Sequence, residues 1–189
     1  MQEAILNYAV KAKNNPKYLS LTDFESMHPY IKRQCENGEY FTRRNSLTDF
    51  KVFENMFGYK LPKDIGDLIN LFWHPYIYGF YKVNECIVLF SCHKHKTDND
   101  DDIMKQKDGI IDLAVNWRDV YAGDISQYLP IGWKAYSGSY ILYELSTGRI
   151  FEEDFDNDGK PAEEPFANSL KELIQGLSFE PAGEIWSFG

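Results

Sequence analysis

Asp154-Phe-Asp156-Asn-Asp158-Gly159 sets oxygen-bearing side chains at alternate positions ahead of a glycine, which is how the first half of a calcium loop is built. The second half does not follow. With Asp154 as position 1, position 12 is Pro165 where a bidentate glutamate is needed, and the residues before Asp154 alternate like a strand rather than a helix. Glu163 and Glu164 stand nearby as substitute donors, but an acidic loop following a hairpin accounts for the string without an ion. Cys92-His93-Lys94-His95, with Cys86 upstream, offers thiol and imidazole donors of the kind zinc takes. No second Cys/His pair stands at finger spacing, and on a strand Cys92 and His93 point to opposite faces. His28 and His74 each precede a proline and read as turn or boundary residues.

Covalent and acid-base chemistry find no better footing. Tyr136-Ser-Gly-Ser139-Tyr is not a Gly-x-Ser-x-Gly elbow, and no histidine or aspartate is placed locally to activate either serine. A pair of acids working as a glycosidase needs one with a raised pKa in a pocket, whereas acids in a run form a solvated face. There is no glycine-rich phosphate loop. The expectation is a protein that is not an enzyme and has neither metal nor cofactor. A metal-dependent hydrolase at the Asp154 loop or the Cys92 segment is the enzymatic alternative.

Charge points elsewhere. The chain of 189 residues has a net charge of -9, with 9 Lys/Arg against 7 Asp/Glu in residues 1–60 and 11 against 22 in residues 61–189. Residues 144–164 alone carry eight acids against Arg149 and Lys160. A surface of that sign repels phosphate backbones and attracts basic proteins, so no nucleic acid is expected as a partner. Glu152, Glu153, Asp154, Asp156, Asp158, Glu163 and Glu164, joined by Asp100, Asp101 and Asp102, make the expected docking face. Trp133 and Tyr136 are its expected aromatic anchors, with Tyr140 and Tyr143 close by in sequence.

The elements that must hold these residues follow from hydrophobic period. Ile5, Tyr8, Ala9 and Ala12 repeat as a short helix that stops near Asn14-Asn15-Pro16. The string SLTDF occurs twice, and Thr22 with Glu25 and Ser46 with Asp49 fit capping boxes. Phe50, Phe53 and Phe57 share a helical face closed by Gly58. After Leu61-Pro62 a second stripe runs through Ile65, Leu68, Ile69 and Phe72. Tyr76 to Val83 and Cys86 to Phe90 read as strands joined at Asn84-Glu85, and Ser91 to Asp108 as a charged loop. Ile110 to Tyr121 mixes helical and strand signals, and Asp119 to Tyr128 reads as helix or coil. Tyr128 to Trp133 is a strand, and Tyr140 to Phe155 is a hairpin turning at Ser146-Thr147-Gly148. Ser169 and Glu172 cap a last helix carrying Leu170, Leu173, Ile174 and Leu177, and Trp186 and Phe188 of the tail are placed to fold back onto the body. Helices first, hairpin-linked strands next and a closing helix give an α+β fold with a largely antiparallel sheet covered by helices.

Four of these strings, in order, resemble the SUKH superfamily, which joins Smi/Knr-type domains with Syd. Glu54-Asn-Met-Phe-Gly58-Tyr-Lys-Leu61-Pro62-Lys-Asp64 is similar to its "E...G..LP.D" pattern, and Tyr128-Leu-Pro130-Ile131-Gly132 to its strand ending in Pro-Ile-Gly. Ile141 to Phe151 with Thr147-Gly148 is similar to its "L.TG.V/I" hairpin, and Ala167-Asn168-Ser169-Leu170 to its terminal helix. The resemblance spans residues 48–177. Trp73-His74-Pro75-Tyr76 stands where many members carry Asn-Gly and is closer in texture to Syd-like members.

Length and an apolar content sufficient for one core give a single domain over 1–189; the resemblance covers its core, 48–177, and leaves 1–47 as an N-terminal helical extension and 178–189 as a tail. It implies a non-enzymatic scaffold, in bacteria an immunity protein that neutralises a polymorphic toxin, often a nuclease. The Syd-like alternative is contact with the protein-translocation channel. No segment has the roughly 18 to 20 apolar residues of a membrane span, the first residues lack the layout of a signal peptide, and three cysteines, Cys35, Cys86 and Cys92, have no framework spacing. A cytoplasmic protein with no integral membrane span is expected.

Overall fold

The computed structural model describes residues 1–14, 41–45, 47–74, 77–82, 85–92, 109–154 and 159–180. Its elements are α1 (Gln2–Lys13), β1 (Thr42–Arg43), α2 (Lys51–Phe57), α3 (Lys63–Leu71), β2 (Phe72–Trp73), β3 (Ile77–Phe80), β4 (Cys86–Leu89), α4 (Ile110–Tyr121), β5 (Tyr128–Lys134), β6 (Tyr140–Glu144), β7 (Ile150–Asp154), β8 (Lys160–Pro161) and α5 (Leu170–Gly176). Strands β3 to β8 lie side by side in chain order as one antiparallel sheet, and β1 pairs with β2 as a separate ribbon. This is the α+β architecture with a helix-covered antiparallel sheet that the element order predicts.

Strand alternation divides the interior. Ile141, Tyr143 and Ile150 enter the large core, where α1 packs on α3 and α5. Leu142 and Phe151, paired across β6 and β7, join Trp117 of α4 in a smaller cluster instead. Within the N-terminal extension, α1 gives Ala4, Ile5, Tyr8 and Ala12 to the large core.

Local signals explain most termini. Gly58 closes α2 in the left-handed region at φ +78, and Pro62 precedes α3 and accepts the Gly66 N–H. Ser169 Oγ accepts the Glu172 N–H at 3.0 Å, while Glu172 reaches back to the Asn168 N–H. The second expected capping box differs. α2 begins only at Lys51, whose N–H is taken by Asp49 Oδ1 at 3.0 Å, because a carboxylate two residues ahead already satisfies that donor. Ser46, Thr22 and Glu25 lie outside the described residues, as do 93–108 of the charged loop and 181–189 of the tail.

Three segments depart from their sequence patterns. Phe72 keeps its place in the buried stripe but is extended, since β2 pairs Phe72 with Arg43 and Trp73 with Thr42. His74 stands at the boundary just after β2, but in the interior. It is fully buried, bridges to Cys92 through backbone hydrogen bonds of 2.7 and 3.0 Å, and stacks on Phe41. Ile110–Tyr121 is a helix throughout, its mixed signal resolved by burial of Leu113, Ala114 and Trp117 on one side.

One edge of the sheet is closed by side chains. The Tyr8 hydroxyl donates to the Tyr78 carbonyl at 2.8 Å and accepts the Tyr78 N–H at 2.9 Å, and Ser178 exchanges two backbone hydrogen bonds with Phe80. β3 therefore presents no free ladder at these positions, a protection that edge strands require. Burial holds the Tyr8 phenol well above its ordinary pKa, so it stays protonated and able to donate. Exposed ion pairs such as Lys51–Asp49 and Arg118–Asp119 are screened by solvent and add little to stability.

Tyr8→Phe removes both hydrogen bonds to the Tyr78 backbone. It should lower the unfolding free energy by about 1–3 kcal/mol, read from the urea midpoint at unchanged slope, and an unmoved midpoint would refute the edge-closing role. Glu172 supplies a pH test. The Tyr81 hydroxyl and then the Asn168 amide hold its carboxyl down to about 2 from an ordinary 4.5. The folded value is the lower one, so this stabilisation is present above about 4.5 and is lost as pH falls toward 2. Glu172→Ala should flatten the acid limb of a stability-against-pH curve in that window.

Candidate functional site

β7 sorts its acids by strand alternation. Phe151 and Glu153 turn to the α4 side, while Glu152 and Asp154 fall on the opposite face. Glu153, expected in the docking face, belongs to the interior: it is 2% exposed. Trp117 Nε1 donates to its Oε1 at 2.9 Å and the Tyr140 N–H donates to its Oε2 at 3.0 Å. The last β6–β7 pair is Ile141 with Glu152, so beyond it the Glu153 side chain takes the place of a backbone acceptor. Its burial is compensated by two donors, the condition under which a polar group is tolerated inside.

Two glycines make this possible. A Cβ at Gly123 would stand 2.2 Å from the Trp117 indole, so only glycine lets the chain lie flat against that ring. Gly159, at φ +69, brings the end of the acidic loop to Glu153, where a Cβ would stand 2.9 Å from Oε1.

Glu152 is half-buried and accepts from Lys134 Nζ at 2.5 Å. That ammonium, on a side chain 11% exposed, also faces Glu85 at 3.6 Å. Glu85 in turn accepts the Tyr136 N–H at 2.8 Å and the Ser137 N–H, fixing the β5–β6 turn. Tyr136 is 80% exposed at the tip of that turn. Trp133 is half-buried against the large core, opposite Tyr140 in the ladder. Asp154 lies opposite Lys160 of β8, and Glu163 and Glu164 follow β8 in exposed positions. The backbone from 162 to 167 keeps bonding to Glu152 and Ile150, which lays Glu163 and Glu164 along the β7 edge. The structure thus gathers Glu152, Asp154, Glu163 and Glu164 at one edge of the sheet. Asp156, Asp158, Asp100, Asp101 and Asp102 lie outside the described residues.

The sequence reading missed the partners that organise this edge. Lys134 and Glu85 carried no signal, since single charges far apart in the chain reveal no pairing. Tyr143 leaves the aromatic group near the acids. Its hydroxyl donates to Asp64 Oδ1 of α3 at 2.9 Å, and burial next to that carboxylate pushes the phenol well up. Tyr143 lines an open cleft of about 620 Å³ with Tyr59, Lys60, Lys63, Asp64 and Asp67. The cleft holds both signs of charge, with Lys63 paired to Asp67 at 2.5 Å.

Among the described residues no three His, Cys, Asp or Glu side chains stand close enough to share an ion; His93 and His95 are not among them. Burial pushes the Cys86 thiol up to about 11, which keeps it in the weakly nucleophilic protonated form at neutral pH. No described helix is long and apolar enough to cross a membrane. No family model, no curated protein and no solved structure matches the chain.

Glu153→Gln puts an amide N–H₂ against one of two buried N–H donors. It should cost about 1–3 kcal/mol of stability, whereas Glu163→Gln with Glu164→Gln should stay within about 0.5 kcal/mol per site. Chemical denaturation of the two variants compares them directly, and equal midpoints would contradict the assignment of Glu153 to the interior.

Proposed function

We propose that the chain is a SUKH-type binding protein of the immunity kind, acting in the cytoplasm without chemistry of its own. It docks the acidic β7–β8 edge on the cationic substrate-binding face of a toxin domain, foremost a nuclease. A face that holds phosphates must be basic, so covering it with carboxylates blocks substrate and is favoured electrostatically.

The observation that carries this reading is the sorting of acids at one edge. Glu153 turns inward to hold the strand, and Glu152, Asp154, Glu163 and Glu164 are left at the rim. The family part is supported by the meeting in space of the strings that carry the resemblance. Asp64 of the Leu-Pro-x-Asp corner accepts from Tyr143 of the hairpin, and Gly148 sits against that same hydroxyl, with its Cβ position 3.1 Å away. Gly132 pairs with Ile141, and Ala167 bridges to Ile150.

The test begins with co-expression beside the polypeptide encoded by the adjacent upstream reading frame. That polypeptide should arrest growth alone and not in the presence of this chain. With the purified pair, the triple reversal Asp154→Lys, Glu163→Lys and Glu164→Lys should slow association about tenfold or more at low salt and flatten its dependence on ionic strength. Rescue failing, or association unaltered across the series, would sink the reading.

A further inference from the structure

Lys134 places a cation where a partner of positive charge gains nothing from one. Its side chain reaches across β6 from β5 to β7, where Nζ donates to Glu152 Oε1 at 2.5 Å, and the same ammonium faces Glu85 Oε2 at 3.6 Å. The lysine side chain is 11% exposed, those of Glu85 and Glu152 21% and 28%. Glu85 stands just ahead of β4 and also accepts the Tyr136 and Ser137 N–H groups of the β5–β6 turn. Lys134 therefore ties Glu152 of β7 to a turn that is itself fixed. Glu152 Oε2 meets no donor among the described residues, so one oxygen of this carboxylate is held and the other is open to a donor.

We infer that Lys134 is a positioning residue of the docking edge, holding Glu152 so that its Oε2 accepts an ammonium or guanidinium of the partner. This inference rests on the reading above. Stability alone does not call for the arrangement, because a largely buried ion pair is often no more stabilising than apolar side chains of similar volume. An apolar residue at 134 could not orient a carboxylate. Ordering a free glutamate at an interface costs affinity, and a side chain already held has met that cost before the partner arrives. Two carboxylates around one ammonium leave a net negative charge, which suits a lysine or arginine of the partner. Lys134 thus acts on the two rates in opposite senses. Its own charge repels the partner's cations during approach, and its grip on Glu152 prolongs the complex.

With the same upstream-encoded polypeptide as ligand, Lys134→Met should speed association about twofold at low salt and speed dissociation about threefold or more. Glu152→Gln should also speed dissociation but slow association, so the two variants split on one rate and agree on the other. A contact that served only the fold would produce no such split. Lys134→Arg keeps the charge at a contact that is neither bidentate nor stacked, and should hold both rates within about twofold of the unsubstituted chain. Lys134→Met dissociating no faster, while the triple acid reversal still slows association, would overturn the positioning role and leave the acidic edge standing. Equal rates in the Arg and Met variants would assign the effect to packing and overturn it as well. Where Lys134→Met does not fold, Glu152→Gln decides, and unaltered dissociation in that variant overturns the inference. A triple reversal without effect would overturn both readings.

Discussion

The arrangement of the acidic side rests on one buried carboxyl group. Glu153 holds Trp117 of the covering helix and the Tyr140 backbone at once, and in doing so fixes the phase of β7. In a strand a slip of one residue exchanges the faces of every side chain. Ile150 in the large core and Phe151 beside Trp117 set the same phase, which carries Glu152 and Asp154 to the face opposite Glu153. An unpaired buried acceptor costs about 1–3 kcal/mol, a large share of the 5–15 kcal/mol by which domains are stable, so the phase is strongly specified. Gly123 and Gly159 serve the same contact by letting backbone approach the indole and the carboxyl where no side chain fits.

The two edges of the sheet are treated differently. At β3, the Tyr8 hydroxyl and the Ser178 backbone occupy ladder positions, so that edge is sealed by the chain itself. At the other edge β8 is only two residues long and is followed by Glu163 and Glu164. Charge on a short edge strand discourages pairing with another strand, while leaving side chains available to a partner of opposite sign. One edge is closed by the chain's own groups, and the other ends in a short strand followed by exposed carboxylates.

What the sequence made legible was local. The Phe50, Phe53, Phe57 stripe with Gly58, the Ser169–Glu172 cap and the hairpin turning at Gly148 are each written within a few residues, and each is found in place. Ile110–Tyr121 was ambiguous because Ile, Val, Trp and Tyr suit strands as well as helices, and tertiary burial decided it. Glu153 was misplaced for a different reason. A run of three acids does not show which one meets Trp117 at 36 positions' remove, and composition alone favours solvent for all of them. The burial of His74 carried no sequence signal, since the aromatic residues that enclose it, Phe41 and Phe90, are distant in sequence. The cleft beside Tyr143 had no sequence signature, being formed where the α2–α3 corner meets the β6–β7 hairpin.

The most direct test of the proposed docking edge is amide hydrogen exchange of the chain with and without the upstream-encoded polypeptide. Protection gained at 150–154 and 159–164 is the result this account predicts. Protection gained instead at 59–67 and 143–145, around the cleft, with the β7–β8 edge unaffected, would contradict it.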